Sequence, residues 1–261
     1  MADLWGAGLA YERFMGRWSR RLAADVVAWL GPEPGLSWLD VGSGTGALTQ
    51  AVLDAAEPGT VTGIDPSTAF VETARGATLD RRARFEVASA EAIPFPDGAF
   101  DLTVTGLVLN FVPSPAAVLS EMDRVTRDGG TIAGYVWDYA EGMAMLRHFW
   151  DAATEVEPSA ADLDEGNRFT ICHPDRLTAL WQSGGLTDVQ VRALWVPMQF
   201  TDFDDFWQPF LGGQGPAGGL LASLPEDARD GIADVLRRRL PAAGDGTIRL
   251  TARAWAVRGQ R

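Results

Sequence analysis

The sequence predicts an α/β fold, a Rossmann-like and mostly parallel sheet with helices on both faces. Three observations support this prediction. Short apolar segments alternate with amphipathic segments of helical period between residues 38 and 137. The first apolar segment runs directly into a glycine-rich turn. The chain has 261 residues, 46% of them hydrophobic, which suffices for one sizeable core or for one core plus a cap.

The glycine-rich turn follows the predicted strand at residues 38–41 and precedes a predicted helix at residues 47–55. The turn consists of Gly42, Ser43, Gly44, Thr45 and Gly46. Without Cβ atoms, glycines let a nucleotide-like ligand lie against the backbone at a helix N-terminus. Asp40 precedes the turn and would repel a pyrophosphate, but it suits a cofactor that carries an ammonium and a sulfonium group. The alternative is a tight strand–helix turn that binds no ligand.

A second acid, Asp65, ends the apolar segment at residues 61–64. Asp65 lies 19 residues after Gly46, about where a Rossmann-type fold places the carboxylate that binds a ribose. Two carboxylate oxygens can accept hydrogen bonds from both ribose hydroxyls. The run Asp65, Pro66, Ser67 could instead cap the following helix, and the two roles are compatible.

Two later segments follow in order. Residues 85–101 contain Ser89, Ala90 and Glu91 ahead of a Pro/Gly-rich loop. Residues 101–113 indicate a strand and the segment after it, which contains Gly106, Leu107 and Asn110. An amphipathic helix at 116–126, ended by an R-D-G-G run, and a strand at 131–137 complete the alternating region.

Together these motifs resemble class I S-adenosylmethionine (SAM) methyltransferases of the UbiE-like, type 11 family. The resemblance rests on the acid-x-G-x-G-x-G turn, on Asp65, on residues 85–101 and on the helix–R-D-G-G–strand run. It implies a seven-stranded sheet, SAM as cofactor, and a helical cap from the C-terminal half. It assigns SAM binding to Asp40, Gly42, Ser43, Gly44, Gly46, Asp65, Pro66, Ser67, Ser89, Ala90, Glu91, Gly106 and Leu107. The chain departs from the family at Ser89, where an acid usually holds the adenine amino group, so the Ala90 N–H or Glu91 would take over part of that contact.

The N-terminal residues 11–19 are similar to the family's Y-x-R-x-M-G-R-W-S segment, which folds over the cofactor. The resemblance places Tyr11 and Arg17 against SAM, with Arg17 available to its carboxylate. The alternative is a surface helix whose arginines are solvated. Residues 19–30 are predicted to form an amphipathic helix.

The sequence divides into cofactor-covering helices at 1–37, a SAM-binding core at 38–137, and cap helices plus the remaining strands at 138–261 in the same domain. Helices are predicted at 139–155, 174–183 and 225–240, and a gapped helical segment at 203–224. Strands are predicted at 188–200 and at 247–257, the second as an edge or hairpin strand.

The charge and the reactive residues limit the function classes. A net charge of −13 disfavours nucleic acid and anionic membranes as partners. One cysteine, Cys172, fits a reducing cytoplasm, and with two distant histidines it predicts no metal site. We find no signal peptide and no apolar run long enough to span a bilayer. A homodimer is compatible with the sequence, which does not fix the oligomeric state.

The expected partner is a small methyl acceptor of aromatic or polyketide/quinone-like type. Aromatic residues are frequent outside the SAM motifs, and Phe203, Phe206, Trp207 and Phe210 lie at helical spacing, as in a cap over an apolar pocket at residues 139–170 and 201–224. Trp181 and Trp195 are expected in the core.

His148 is the first candidate for a catalytic base, ahead of His173, Asp138 and Tyr139, while a surface or core histidine is the common alternative. Asn110 could orient an acceptor oxygen or serve the structure. Methyl transfer is the expected reaction. The alternative keeps the fold and SAM but catalyses another reaction, such as a cyclisation. A non-catalytic nucleotide-binding module is disfavoured by Asp40, Asp65 and the four ordered motifs.

Overall fold

Strands and helices alternate along the chain as the sequence predicts, and the computed structural model describes them for residues 12–261. The strands are β1 (Ser37–Val41), β2 (Thr60–Asp65), β3 (Ala83–Val87), β4 (Phe100–Gly106), β5 (Thr126–Trp137), β6 (Thr187–Phe200) and β7 (Ile248–Gln260). The α-helices are α1 (Arg17–Leu30), α2 (Ala47–Ala55), α3 (Thr68–Ala77), α4 (Pro115–Val125), α5 (Ala144–Val156), α6 (Glu165–Arg168), α7 (Pro174–Ser183), α8 (Phe203–Leu211), α9 (Gly215–Ser223) and α10 (Glu226–Arg239). A π-helical turn (Glu12–Gly16) precedes α1, and a 3-10 helix (Pro158–Leu163) follows α5.

The seven strands form one sheet in the order β3-β2-β1-β4-β5-β7-β6, which confirms the predicted fold class. Strands β1 to β5 are parallel, and Asp40 on β1 lies beside Gly63 of β2 and Val104 of β4. Because the strand order reverses between β1 and β4, the loops that follow these strands border the crevice in which doubly wound sheets bind ligands.

The prediction of β7 as an edge or hairpin strand is wrong, because β7 lies inside the sheet between β5 and β6. The Arg261 N–H donates to the Gly130 carbonyl (3.0 Å), and the Asp138 N–H donates to the Arg253 carbonyl (2.9 Å), so β7 runs antiparallel to β5. The predicted alternation itself is confirmed, since residues 248, 250, 252, 254 and 256 are all buried. Alternation of buried and exposed residues indicates which face of a strand is covered. It does not indicate how many strands lie beside it in the sheet.

Strand β5 begins earlier than predicted. Phe100 of β4 pairs with Thr126, whereas Leu102 pairs with Thr131, so residues 127–130 form an irregularity within the ladder. Gly129 has φ +71°, which glycine adopts without strain. The R-D-G-G run therefore lies within β5 and does not form a separate loop.

The chain forms two compact units. The first, here the sheet unit, contains residues 19–136, 171–194 and 255–261. The second, here the helical unit, contains residues 137–170 and 195–254 together with the described part of residues 1–18. In the described part of the chain, no helix is long and apolar enough to cross a membrane.

In the sheet unit, α1 confirms the predicted amphipathic helix and buries Leu22, Val26 and Val27. Trp181 of α7 is fully buried, as predicted, and its indole N–H donates to the Ile132 carbonyl (3.1 Å). Burial of a Trp with its N–H satisfied is the arrangement that avoids the cost of an unpaired donor.

In the helical unit, the helix predicted at 139–155 begins only at Ala144. The preceding residues form a turn closed on Asp138, whose carbonyl accepts from the N–H groups of Gly142 (3.1 Å) and Met143 (2.9 Å). Asp138 also binds the Arg253 guanidinium, with 2.6 Å between its Oδ2 and Nε. The Met143 N–H reaches back five residues instead of the four of an α-helix, and the Gly142 carbonyl accepts from the Arg253 N–H (2.9 Å), so the chain turns here before the helix begins.

The apolar centre of the helical unit consists of aromatic rings. Phe210 stacks on Phe149 at 4.7 Å and meets Phe14 edge-on at 5.2 Å, and Phe206 meets Phe200 at 5.2 Å. Trp195 was expected in the core, and this prediction is wrong, because its side chain is 54% exposed. The Arg253 guanidinium lies 5.3 Å from its ring centroid and covers part of the ring.

Candidate functional site

The glycine turn after β1 is shaped by three residues with positive φ. Gly42, Gly44 and Gly46 have φ of +77°, +53° and +90°, a region that side chains with a Cβ rarely adopt. The N–H groups of Gly42 and Ser43 both donate to the Ile64 carbonyl at 2.8 Å, which ties the turn to the end of β2.

Gly44 is the position at which this turn is open. A Cβ added to Gly42 would meet Val108 Cγ2 at 2.3 Å, and one added to Gly46 would meet the Phe85 ring at 3.4 Å. A Cβ added to Gly44 would have no heavy atom within 4 Å among the described residues. Packing against Val108 thus requires a glycine at position 42, while the backbone at Gly44 borders space that a ligand can use.

Asp40 lies directly beneath the turn and is buried. Its Oδ2 accepts from the N–H (3.1 Å) and the hydroxyl (2.7 Å) of Thr49 on α2. Burial raises the pKa of Asp40 to about 7, although the Thr49 hydrogen bonds oppose the shift. A cation bound beside this buried carboxylate would stabilise its ionised form. The attraction would offset the free energy that ionisation costs in the protein interior.

Asp65 ends β2 and joins two segments through its carboxylate. Oδ2 accepts from the Gly44 N–H (3.0 Å), and Oδ1 accepts from the Ser67 N–H (2.8 Å). Burial raises the pKa of Asp65, and these two hydrogen bonds oppose the shift. Ser67 in turn caps α3 by accepting from the Phe70 N–H (3.4 Å). The helix cap and the ribose role remain compatible, because each carboxylate oxygen keeps a further lone pair.

Residues 88–91 lie beside Asp65. The Ala88 N–H donates to the Asp65 carbonyl (3.1 Å), so the chain leaving β3 passes the end of β2. Ser89 Oγ accepts from the Glu91 N–H (3.2 Å), and Glu91 Oε1 accepts from the Ser114 N–H (3.1 Å). Both side chains are therefore already bonded, while Ala90 is buried. An adenine contact from this segment stays a prediction.

The segment after β4 approaches the turn from the other side. Leu107 has φ +62°, which is uncommon for a residue other than glycine, and its N–H donates to the Tyr135 carbonyl (2.8 Å). The Phe111 N–H donates to the Val108 carbonyl (2.8 Å) and closes a turn around Asn110. Gly106 precedes this turn, and a Cβ there would meet Tyr135 Oη at 2.3 Å.

The remaining cofactor candidates belong to the N-terminal segment. Tyr11 lies outside the described residues. In the helical unit, Arg17 Nη1 donates to both carboxylate oxygens of Asp205, at 3.1 and 3.2 Å, and its guanidinium lies 4.4 Å from the Trp18 ring centroid. The guanidinium thus has a carboxylate partner within the chain, and a contact with a SAM carboxylate stays a prediction.

The candidate bases differ in their surroundings. His148 on α5 is half-buried, and burial lowers its pKa although the negative charge of Asp151 opposes this shift. Neutral imidazole is the form that accepts a proton. His173 caps α7 by accepting from the Asp175 N–H (3.3 Å), and Asp138 pairs with Arg253. Tyr139 meets Phe169 edge-on at 5.3 Å.

Three contributors to the site are not among the predicted site residues, namely Thr49, Val108 and Phe85. Thr49 donates to Asp40 across the glycine turn, Val108 packs on Gly42, and Phe85 packs against Gly46 and Gly63. Their roles depend on contacts between separate segments, so no local spacing reveals them. Only the position of Thr49 in the first turn of α2, close above a buried acid, could have indicated its role.

The comparisons with known proteins agree with this geometry. Residues 39–134 match the family described as a methyltransferase domain. An uncharacterized methyltransferase of Mycobacterium leprae is 36% identical over 47% of this chain and 48% of its own length. The ubiquinone/menaquinone biosynthesis C-methyltransferase UbiE of Burkholderia orbicola is 33% identical over 53% of this chain and 56% of its own length. The chain thus spans about half the length of these curated relatives.

Solved structures share the fold at low sequence identity. Phosphoethanolamine N-methyltransferase 2 of Haemonchus contortus, solved with S-adenosylhomocysteine, superposes with a TM-score of 0.62 at 16% identity and covers 97% of this chain and 56% of its own. The [4+2]-cyclase SpnF superposes with a TM-score of 0.55 at 20% identity and covers 92% of this chain and 81% of its own.

The strand order and the glycine turn define a Rossmann-like fold, which the phosphoethanolamine N-methyltransferase named above shares. Within this fold, residues 39–134 are similar to the methyltransferase-domain family.

Proposed function

We propose that this protein transfers a methyl group from SAM to a small acceptor, an aromatic or polyketide/quinone-like molecule of bacterial secondary or quinone-like metabolism. The observation that carries the proposal is the bond between the Asp65 carboxylate and the Gly44 N–H (3.0 Å) beside the open face of Gly44. Asp65 is an acid at the end of a strand, and Gly44 offers backbone that a ligand can approach. Both lie within the segment that matches a methyltransferase domain.

The residues present fit SAM. The open face at Gly44 leaves room for the nucleoside, and the free lone pairs of Asp65 suit ribose hydroxyls. Asp40 places a buried carboxylate behind the turn, which suits a cofactor of positive charge. When bound, SAM supplies an electrophilic methyl group on a positively charged sulfur.

The chain's own residues have mainly a positioning task. They must hold the acceptor's nucleophilic atom about 3 Å from the methyl carbon and keep water away. A base is needed only when the acceptor arrives protonated. We assign that conditional role to His148, whose lowered pKa keeps it neutral near pH 7. Asn110 is assigned to orienting an oxygen of the acceptor.

The acceptor class rests on two arguments. The net charge of −13 disfavours polyanionic acceptors such as nucleic acid, since a phosphate backbone is repelled by an acidic protein. One relative is named for C-methylation in ubiquinone and menaquinone biosynthesis, which favours a ring with oxygen substituents. Cytoplasmic placement follows from the same proposal, because SAM is a cytoplasmic metabolite in bacteria.

Two measurements on the full chain test the proposal. Isothermal titration with SAM comes first, with NAD as the matched nucleotide control, and SAM alone is expected to bind. A screen of phenols and quinones with methyl-labelled SAM follows, and label in the acceptor is the expected result. Conversion of an acceptor without label, with SAM unconsumed, would instead support the cyclisation alternative. Binding of NAD but not SAM would overturn the cofactor assignment.

A further inference from the structure

Among residues 12–261, the side-chain amide of Asn110 has no hydrogen-bond partner. Both Nδ2 and Oδ1 are shielded from solvent, and neither bonds to any residue of the described range 12–261. An amide buried in this state costs free energy, because it gives up its hydrogen bonds to water without replacement. The chain's other asparagine, Asn167, is exposed and donates to the Ala161 carbonyl (3.2 Å).

Asn110 lies in the sheet unit, two residues after Val108, whose side chain packs against Gly42 of the glycine turn. It sits inside the turn that the Phe111 N–H closes on the Val108 carbonyl (2.8 Å). Leu107 holds the preceding backbone at φ +62°. The Leu107 N–H bond to the Tyr135 carbonyl (2.8 Å) and the turn at Phe111 thus hold the backbone on either side of Asn110.

We propose that Asn110 recognises the acceptor, and that the acceptor presents a hydrogen-bond donor and an acceptor oxygen on adjacent ring atoms. This inference rests on the proposed function and narrows its substrate class. A primary amide carries one acceptor oxygen next to one donor nitrogen. Two adjacent oxygens, one protonated and one accepting, satisfy both atoms at once, as in a catechol or a hydroxyquinone. A ring with a single oxygen leaves half of the amide unpaired.

A structural role and a recognition role predict opposite effects on stability. If the amide stabilises the apo fold, its replacement lowers the melting temperature. If the amide is paired only when a ligand binds, its replacement by an apolar side chain of similar size removes an unpaired buried group. The melting temperature of the apo protein then rises. Asn110→Leu tests this directly, and Asn167→Leu is the matched control because that amide is exposed and bonded.

The probes are catechol and resorcinol, which contain the same atoms but differ in whether the two hydroxyls are adjacent. Wild-type protein saturated with SAM is expected to bind catechol roughly tenfold more tightly than resorcinol in ligand-observed NMR, since one buried hydrogen bond contributes about that factor. Asn110→Leu should abolish this preference, raise the apo melting temperature by a few degrees, and leave SAM affinity within about twofold. Asn110→Ser, a smaller variant, should also lose the preference.

Three outcomes would overturn the proposal. A lower apo melting temperature in Asn110→Leu, with SAM affinity kept, would make Asn110 structural. A loss of SAM affinity in the folded variant would show that the amide serves the cofactor. Equal binding of catechol and resorcinol by the wild type would exclude the adjacent-oxygen class. Failure of the wild type to bind SAM would instead contradict the proposed function itself, so the two failures are distinguishable.

Discussion

The carboxylate of Asp65 accepts a hydrogen bond from the backbone N–H of Gly44 at 3.0 Å, which joins the end of β2 to the open point of the glycine turn. The same carboxylate accepts from the Ser67 N–H at 2.8 Å, so one side chain organises the turn and the start of α3. An acid at this position therefore supports the shape of the glycine turn and keeps the lone pairs that the proposed ribose contact requires.

Replacing Asp65 should weaken SAM binding strongly. Asp65→Ala removes the ribose partner and the bond to Gly44, and we expect a loss of about 1.5–3 kcal/mol, or roughly 10- to 150-fold in affinity. Isothermal titration provides the measurement. Asp54→Ala is the control, because Asp54 is an exposed carboxylate of the same unit that bonds only to Gln50 in the described structure. Equal SAM affinities in wild type and Asp65→Ala would remove the ribose assignment.

A methyl group at Gly44 should block the cofactor without breaking the fold. Gly44 and Gly185 both have positive φ, +53° and +83°, and a Cβ at either position meets no heavy atom of the described structure within 4 Å. Gly44→Ala and Gly185→Ala should therefore carry a similar backbone cost of about 1–2 kcal/mol. Only Gly44→Ala should lose SAM affinity. If both variants bind SAM as the wild type does, the turn does not face the cofactor.

SAM affinity should fall as the pH drops through 7. Burial raises the pKa of Asp40 to about 7, so below that pH the group binds a proton and loses the negative charge that suits the cofactor. We expect about a tenfold loss per pH unit below 7 and a plateau above it. Asp40→Asn should bind SAM weakly and without this pH dependence. A wild-type profile that is flat between pH 6 and 8 would contradict the assignment.

The stability of the apo protein should change with pH in the opposite direction to its affinity for SAM. Unfolded aspartate releases its proton near 3.8 and folded Asp40 near 7, so between these values the folded state binds more protons. The contribution of Asp40 to the free energy of unfolding is thus largest at low pH and is lost as the pH rises toward 7. Asp40→Asn should consequently melt higher than the wild type at pH 8, with a smaller gap at pH 5. A lower melting temperature at pH 8 would show that the Thr49 hydrogen bonds outweigh the burial cost.

His148 should assist turnover without being essential. A general base contributes about 10²–10⁴-fold when the acceptor arrives protonated, and little when it ionises unaided. With a phenolic acceptor, His148→Ala should keep measurable turnover that recovers as the pH rises. His173→Ala is the control, because His173 caps α7. A complete loss in His148→Ala at every pH, with fold and SAM binding intact, would contradict this and make His148 an essential base.

The local parts of this structure could be predicted from the sequence, because they follow from periodicity and turn chemistry. The glycine turn, Asp65 and the limits of α7 are of this kind. The exposure of Trp195 and the interior place of β7 could not be predicted, since both depend on which strands become neighbours. The bond between Asp40 and Thr49 and the unpaired amide of Asn110 likewise arise only when separate segments pack.

Methyl transfer itself is tested most directly by following the label. The full chain is incubated with methyl-labelled SAM and a panel of phenols and quinones, and acceptor and cofactor products are analysed together by mass spectrometry. We expect methyl transfer to give one labelled methyl group in the acceptor for each S-adenosylhomocysteine formed, with no product from Gly44→Ala and normal product from Gly185→Ala. An acceptor that is converted without label, while SAM stays bound and unconsumed, would contradict it.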